Sequence, residues 1–351
     1  MKPDLDLYTD YLLCSTGQTT ATGLSAMLDG LFSHDQVSDL LAHSEFDNKA
    51  LWQQVKPLVR QVQVADGVLI VDDSLLHKPH SQINGLVCSH YDHASGRIVK
   101  GINFVSLLYC AQQVHIPVGL SLVIKYLQSD RQTGKTIWQA PQTKNDLFRS
   151  LLYQAHQNRI PAQYVLSDSW YTNAENINLV RAFAMHYVGA VKSNLQVALS
   201  TTDRANGCFV AITELDLQPG TVRSVYIRSV KQAVLVCRDL FINKDGSEGE
   251  QLLLSTDLQQ SYQQIITTYQ KRWEVENYHK SLKNNASLEK SPAHTIQTQA
   301  MHLFSSLCAF VKLERLKIKH KATHFALKAR LYLKAIQAAF QELNLLNEIS
   351  T

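Results

Sequence analysis

Residues 18–60 space their apolar positions as short helices do. Leu24, Met27, Leu28 and Leu31 share one face, and in SHDQVSDLLAH Ser33 can cap a helix that carries Val37, Leu40 and Leu41. The two helices flank a GLFS turn in the manner of a helix-turn-helix, an arrangement that serves DNA binding, a dimer contact or a packing arm. The period then shortens. VLIVDDS (68–74), RIVKGINFVSLLYC (97–110) and HIPVGLSLVIKYL (115–127) are rich in β-branched residues and predict three strands, the last two a hairpin. Leu147, Phe148, Leu151, Leu152 and Ala155 recur at helical spacing, AQYVLSD (162–168) reads as a short buried strand, and a helix over about 173–184 leads into a strand at HYVGAVKS (186–193).

Three strands, then helix, strand, helix and strand, with a further helix to close, is the element order of a ribonuclease H-like sheet. Between about 195 and 255 the segments CFVAITELDL, TVRSVYIRSV, QAVLVCRDLFI and EQLLLSTDL are separated by PG and KDGSEG turns and look like an inserted β-rich unit. From Gln259 the pattern is helical again, to about 285, over about 296–317, and over about 323–346. The expected fold is α/β: a ribonuclease H-like catalytic core with an inserted β-rich subdomain, plus helical N- and C-terminal regions. The expected divisions are a helical module at 1–62, the first part of the core at 63–194, the insertion at 195–257, core completion at 258–290 and a basic helical region at 291–351.

Composition narrows the class. A chain of 351 residues with 45% apolar and 18% charged residues buries a substantial core, which excludes a disordered tail or a disulfide-stapled miniprotein. Cys14, Cys88, Cys110, Cys208, Cys237 and Cys308 are scattered without a C-x-x-C pair, as in a reducing compartment. No signal-like N-terminus or apolar run of about 18 residues occurs, so a cytoplasmic protein with no membrane partner is expected. The formal net charge is only +4, but it is unevenly spread. Residues 1–60 hold 4 Lys/Arg against 8 Asp/Glu, whereas residues 269–334 hold 13 against 4, so a polyanion contact is expected mainly in the C-terminal third.

Three acids stand where two-metal phosphoryl transfer needs them: Asp72 at the expected end of the first strand, Asp168 at the end of a buried strand, and Glu276 on a helix. Two hard cations about 4 Å apart require carboxylate oxygens around them. Each acid alone also reads as a turn cap or a solvated helix residue. The surroundings of Glu276 are more particular. TYQKRWEVENYHKSLKN spaces Tyr269, Arg272, Glu276 and Lys283 as Y-x2-R-x3-E-x6-K, which on one continuous helix falls on a single face.

These motifs resemble a bacterial insertion-sequence DDE transposase of the group carrying the Tyr-Arg-Glu-Lys signature, the insertion-sequence 4 superfamily type. The likeness covers roughly residues 65–320. Its first motif, Asp-x-Ser/Thr, selects Asp72 in Asp72-Asp73-Ser74, with Asp73 the alternative, and its second matches Asp168 followed by Trp170 and Tyr171. The resemblance implies Asp72, Asp168 and Glu276 as catalytic metal ligands, and two Mg²⁺ ions for which Mn²⁺ can substitute. It implies that Tyr269, Arg272 and Lys283 contact DNA phosphates. Lys78 and Lys192, near the expected site, are further candidate DNA contacts. The implied partners are double-stranded DNA, as transposon ends and target, and a second copy of the chain on that DNA, in a nucleoid-associated protein. A structure-selective nuclease or a catalytically silent DNA-binding protein on the same core are the alternatives. Some transposases of this group stack a flipped base on a Trp of the insertion. Residues 195–260 contain no Trp here, leaving Phe209, Tyr226 or Phe241 as substitutes.

Other signals are weaker. His77, His80, His90 and His93 with Cys88 could ligate zinc, though a turn-rich stretch explains them equally. TGKT at 133–136 lacks the glycine a phosphate loop requires at position 129, which is Ser129, and Glu276-x-x-His279 has no second copy of the kind a di-iron site needs.

Overall fold

A computed structural model describes residues 2–44, 47–93, 95–129, 134–243 and 245–349. Four helices come first: α1 (Leu5–Cys14), α2 (Ala21–Met27), α3 (His34–His43) and α4 (Asn48–Val62). Ser33 caps α3 through the Gln36 N–H, and Gln36 returns the bond in a capping box. Leu24, Val37 and Leu41 are buried, but Met27 and Leu31 are exposed, so the apolar face expected of α2 is only partly used. Asp29 and Gly30 adopt left-handed φ after α2 and turn the chain out of the helix.

The β-branched segments form β1 (Val68–His77), β2 (Val87–Asp92), β3 (Arg97–Ala111) and β4 (Val114–Leu122). A separate hairpin of β5 (Tyr126–Ser129) and β6 (Thr136–Gln139) follows, where the sequence predicted a longer β4. Then come α5 (Lys144–Gln157), β7 (Tyr164–Ser167), α6 (Ala174–Ala182) and β8 (His186–Val191). Between residues 195 and 257 lie β9 (Gln196–Ala198), α7 (Thr201–Ala205), β10 (Val210–Ala211), β11 (Arg223–Ile227), β12 (Val234–Ile242) and β13 (Glu248–Ser255). The chain finishes with α8 (Tyr262–Gln270), α9 (Glu274–Asn285), α10 (Ile296–His320) and α11 (His324–Ile349).

Among the described residues eleven strands make one sheet in the order β10-β9-β11-β12-β13-β8-β7-β1-β3-β2, with β4 also paired to β3. β1, β7 and β8 run parallel, and the remaining pairs are antiparallel. The β-rich segment therefore continues the central sheet, because β13 pairs along β8 from Leu252↔Val191 to Ser255↔Val188. The fold is a mixed α/β protein with one large mixed sheet and mostly helical ends. Among the described residues no helix is long and apolar enough to cross a membrane, and the six cysteines are free thiols.

The C-terminal helices close the core against the N-terminal ones. α10 buries Leu303, Phe304, Leu307, Phe310 and Leu313, and packs on α1, α3, α4 and β4. This packing changes the reading of charge. Lys312 pairs with Asp6 and Asp10 at 2.9 and 2.7 Å, Arg315 donates to the Gln54 carbonyl, Lys317 to that of Gln113, and Lys290 to those of Ser15 and Thr16. Lys312 is thus paired with the acidic front of the same chain, and Arg315, Lys317 and Lys290 are engaged by backbone carbonyls.

Candidate active site

Asp72 lies in the middle of β1 and not at its end. β1 pairs with β7 only as far as Ile70↔Leu166, while its pairing with β3 continues to His77↔Gly101. A cleft of about 850 Å³ borders Asp72. Asp168 is the first residue beyond β7, its carboxylate held by the Trp170 N–H at 2.9 Å, and Glu276 sits in the first turn of α9. All three line the cleft, together with Asp73, Lys144, Lys192 and Lys283.

Strand alternation separates the two consecutive aspartates. Ser106, cross-strand from Asp72, has its hydroxyl 3.3 Å from His279 Nε2 on α9, so Asp72 belongs to the face that α9 covers. Asp73 faces α5: its carboxylate accepts from Lys144 Nζ at 2.6 Å, Tyr171 OH at 2.9 Å and Asn103 Nδ2 at 3.3 Å. Among the described residues the Asp72 carboxylate takes one hydrogen bond, from the Asp73 N–H at 2.9 Å.

Electrostatics reports the same convergence. Burial, then the negative charges of Asp73, Asp168 and Glu276, push the Asp72 carboxyl up to about 8, with Arg272 acting against them. Asp168 is raised too, first by burial and also by Asp73, opposed by the Trp170 N–H and Arg272. The crowding thus favours the protonated form of Asp72, and a cation bound there would offset the repulsion.

The donor set is all oxygen, which suits Mg²⁺ or Mn²⁺. Among the described residues no three His, Cys, Asp or Glu side chains form a ready-made metal cage. Mg²⁺ keeps several waters and is usually held by one or two carboxylates plus substrate phosphate, so the residues fit an ion whose shell the substrate completes.

The Tyr-Arg-Glu-Lys segment is not one helix. α8 ends at Gln270, Lys271–Trp273 form a 3-10 turn, and α9 starts at Glu274. The tighter turn shifts the phase between Tyr269 and Glu276. Arg272 Nη1 still reaches 3.8 Å from Glu276 Oε1, its guanidinium lies 5.6 Å from the ring centre of buried Tyr269, and its Nε is buried without a partner.

The remaining candidates divide. Lys192 lines the cleft, its Nζ 5.1 Å from the Trp170 ring centre, and Lys283 lines it while pairing with Glu289 at 3.3 Å. Lys78 is not among the lining residues: its Nζ donates to the carbonyls of Glu289 and Ser291, and burial lowers its pKa. Lys144 is a cleft residue that the sequence did not single out, although the Thr143 cap predicts where it begins its helix, and half-exposed Trp170 of the second motif lines the cleft as well.

The possible zinc ligands do not gather. His77 Nε2 is 3.5 Å from Asp92, His80 is exposed, His90 is pushed down to about 4 by burial, His93 packs against Tyr91 and Trp170, and the Cys88 thiol donates to the Gly85 carbonyl. Buried His279 faces Ser106 and Phe104. Phe209 lies under Arg228, Tyr226 under Arg204, and Phe241 covers Gly249; none of the three lines the cleft. Thr133 of the TGKT segment lies outside the described residues, and Thr136 opens β6.

A family model described as DDE superfamily endonuclease matches residues 1–206, a span that holds Asp72 and Asp168 and stops before Glu276. Among the curated proteins none matches. Superfamily members of this kind generally use divalent metal ions. With more than half of its length matched, the chain belongs to the DDE superfamily of endonucleases.

Proposed function

We propose that the protein is the DNA transposase of an insertion sequence, acting on double-stranded DNA at the element's ends and at its target. The observation that carries this reading is the crowding of Asp72, Asp168 and Glu276 in a cleft that also holds Lys192 and Lys283. In this reading β1, β3, β4, β7 and β8 with α5, α6 and α9 form a ribonuclease H-like core, residues 195–257 are an insertion that lengthens its sheet, and residues 1–62 and 291–351 are the helical modules. The protein works at the nucleoid in the cytoplasm, two copies pairing two DNA ends.

Asp72, Asp168 and Glu276 would hold two Mg²⁺ ions, with Mn²⁺ as a substitute. Once bound, such ions activate the attacking oxygen and stabilise the leaving one. The protein's own groups position everything else. Arg272 orients Glu276 and offsets negative charge at Asp72 and Asp168. Lys192 and Lys283 present ammonium groups to backbone phosphates, and Tyr269 supports the Arg272 guanidinium. Lys144 and Tyr171 fix Asp73, which keeps the second carboxylate on the opposite face. Hydrolysis at the element end frees a 3′-hydroxyl, and that hydroxyl then attacks a target phosphodiester in line, forming a new bond to the phosphorus as the target strand's own 3′-oxygen leaves.

Strand joining tests the reading. A labelled DNA carrying the native flanks of this gene is incubated with Mg²⁺ and a target plasmid. Joined products support the transposase, cleavage without joining supports a structure-selective nuclease, and binding without cleavage supports a catalytically silent DNA-binding protein.

A further inference from the structure

The helix that carries Glu276 is set off from its neighbours at both ends. The 3-10 turn at Lys271–Trp273 breaks α9 from α8, and beyond α9 Ser287 adopts left-handed φ and turns the chain away. α9 therefore does not inherit its orientation from a helix continuous with it. Val275, Tyr278 and Leu282 bury its apolar face, but the hydrophobic effect is non-directional, whereas polar contacts depend on angle as well as distance.

Behind α9 lies one buried carboxylate, Glu314 of α10, with an arm to each half of the helix. Towards the first turn, which holds both Glu274 and Glu276, the His115 N–H of β4 donates to Glu314 Oε2 at 3.4 Å, and the ring Nε2 of His115 is 3.3 Å from Glu274 Oε2. Towards the C-terminal half, His324 Nε2 of α11 lies 3.2 Å from Glu314 Oε1 and its Nδ1 2.9 Å from Ser281 Oγ, which also accepts from Asn285 Nδ2 at 3.0 Å. Lys317 Nζ, 3.1 Å from Glu314 Oε2, supplies the counter-charge. Burial alone would raise the Glu314 carboxyl, but His324, Lys317 and His115 outweigh it and hold the group below the usual carboxylate range, so it is an anion at neutral pH.

We propose that Glu314 is a positioning residue for the active site: through His115 and His324 it sets the angle of α9 and so the place of Glu276. The role of Glu276 rests on the proposed function, and the hold on α9 rests on the contacts alone. None of Glu314, His115 and His324 lines the cleft, so their effect reaches the chemistry only through α9.

Amide hydrogen exchange on the full chain without DNA or metal, paired with cleavage kinetics, tests the proposal. Glu314→Gln, which keeps the size and loses the charge, speeds exchange across residues 274–285, while His115→Ala does so in the first turn of α9 and His324→Ala in its C-terminal half. On DNA bearing the native flanks, Glu314→Gln lowers kcat by about 10–100-fold, the cost of a small misplacement, and leaves KM for DNA unchanged. The control is Val311→Ala, a packing loss where α10 borders α1, which lowers the melting temperature but keeps wild-type exchange in 274–285 and wild-type kcat. Unchanged exchange in 274–285 for Glu314→Gln and both histidine variants overturns the proposal. So does a wild-type kcat in Glu314→Gln, or an equal loss of kcat in Val311→Ala, which would make Glu314 one packing residue among many. A wild type that binds this DNA without cutting contradicts the proposed function instead, and exchange then decides the hold on α9.

Discussion

Asp72 and Asp73 are consecutive in the chain and opposite in role: Asp73 is held by Lys144, Tyr171 and Asn103, while among the described residues the Asp72 carboxylate takes one hydrogen bond, from the Asp73 N–H, and faces Asp168 and Glu276. The two should therefore fail differently when changed to Asn. Asp72→Asn loses metal-dependent cleavage by on the order of 10³-fold or more, keeps DNA binding, and melts no lower than wild type because the amide is neutral at every pH beside Asp73, Asp168 and Glu276. Asp73→Asn leaves Lys144 without its counter-charge and costs about 1–3 kcal/mol of stability. Cleavage rates and denaturant unfolding of both variants check the pair, and equal stability of the two would contradict the division.

Arg272 is the cation that opposes the repulsion at both Asp72 and Asp168. Arg272→Ala should lower cleavage by about 10²–10³-fold, the range seen when one preorganised charge-stabilising group is removed. Arg272→Lys should recover little, because a flexible ammonium cannot both lie on the Tyr269 ring and reach Glu276. Full rescue by lysine in a cleavage assay would reduce Arg272 to a simple charge.

The strands were legible because Val, Ile and Leu runs declare themselves locally: β1, β3, β4, β7 and β8 all fall where the sequence puts them. Asp72 and Asp168 adjoin two of these runs, but the choice of Asp72 over its neighbour Asp73 came from the resemblance of the motif and not from the strand pattern. Pairing is not local, so nothing in residues 196–255 tells that their strands extend the central sheet from the β8 edge. β2, with Ser89, His90 and Asp92 in six residues, is too polar to read as a strand. The 3-10 turn at Lys271–Trp273 interrupts an apolar period that reads as continuous. Charge pairing across the fold, such as Lys312 with Asp6 and Asp10, joins residues some 300 positions apart, and composition shows only the two totals.

The lysines predict separable effects on DNA binding. Lys192→Ala and Lys283→Ala should each weaken binding and reduce the dependence of log K on log salt by about 1. Lys78→Ala should leave that slope unchanged and lower stability instead, because its ammonium serves the carbonyls of Glu289 and Ser291. Binding titrations at three salt concentrations distinguish the groups, and a reduced slope for Lys78→Ala would return it to the DNA interface.

Acid stability is set in part by His302. Its Nε2 is 3.0 Å from the Ser287 carbonyl and its Nδ1 2.9 Å from Tyr8 OH, so the neutral ring donates to the carbonyl and accepts from the phenol. Burial pushes its pKa down to about 4. A histidine depressed in the folded state leaves stability intact above its unfolded pKa of about 6.5, and stability is lost as pH falls from there towards 4. The loss from this residue approaches about 1.4 kcal/mol per pH unit in that window. His302→Gln, which keeps a donor and an acceptor, should flatten the acid limb. Urea unfolding between pH 4.5 and 7.5 measures it, and an unchanged limb would assign the acid sensitivity to other groups.

The most direct test of the central claim, that Asp72, Asp168 and Glu276 act together on DNA through divalent cations, is Mg²⁺-dependent cleavage of DNA bearing the native flanks, comparing wild type with Glu276→Gln while binding is measured in parallel. The account predicts cleavage by wild type with Mg²⁺ and none with a chelator, and a variant that binds as tightly as wild type but does not cut. A Glu276→Gln protein that cuts at the wild-type rate would contradict it.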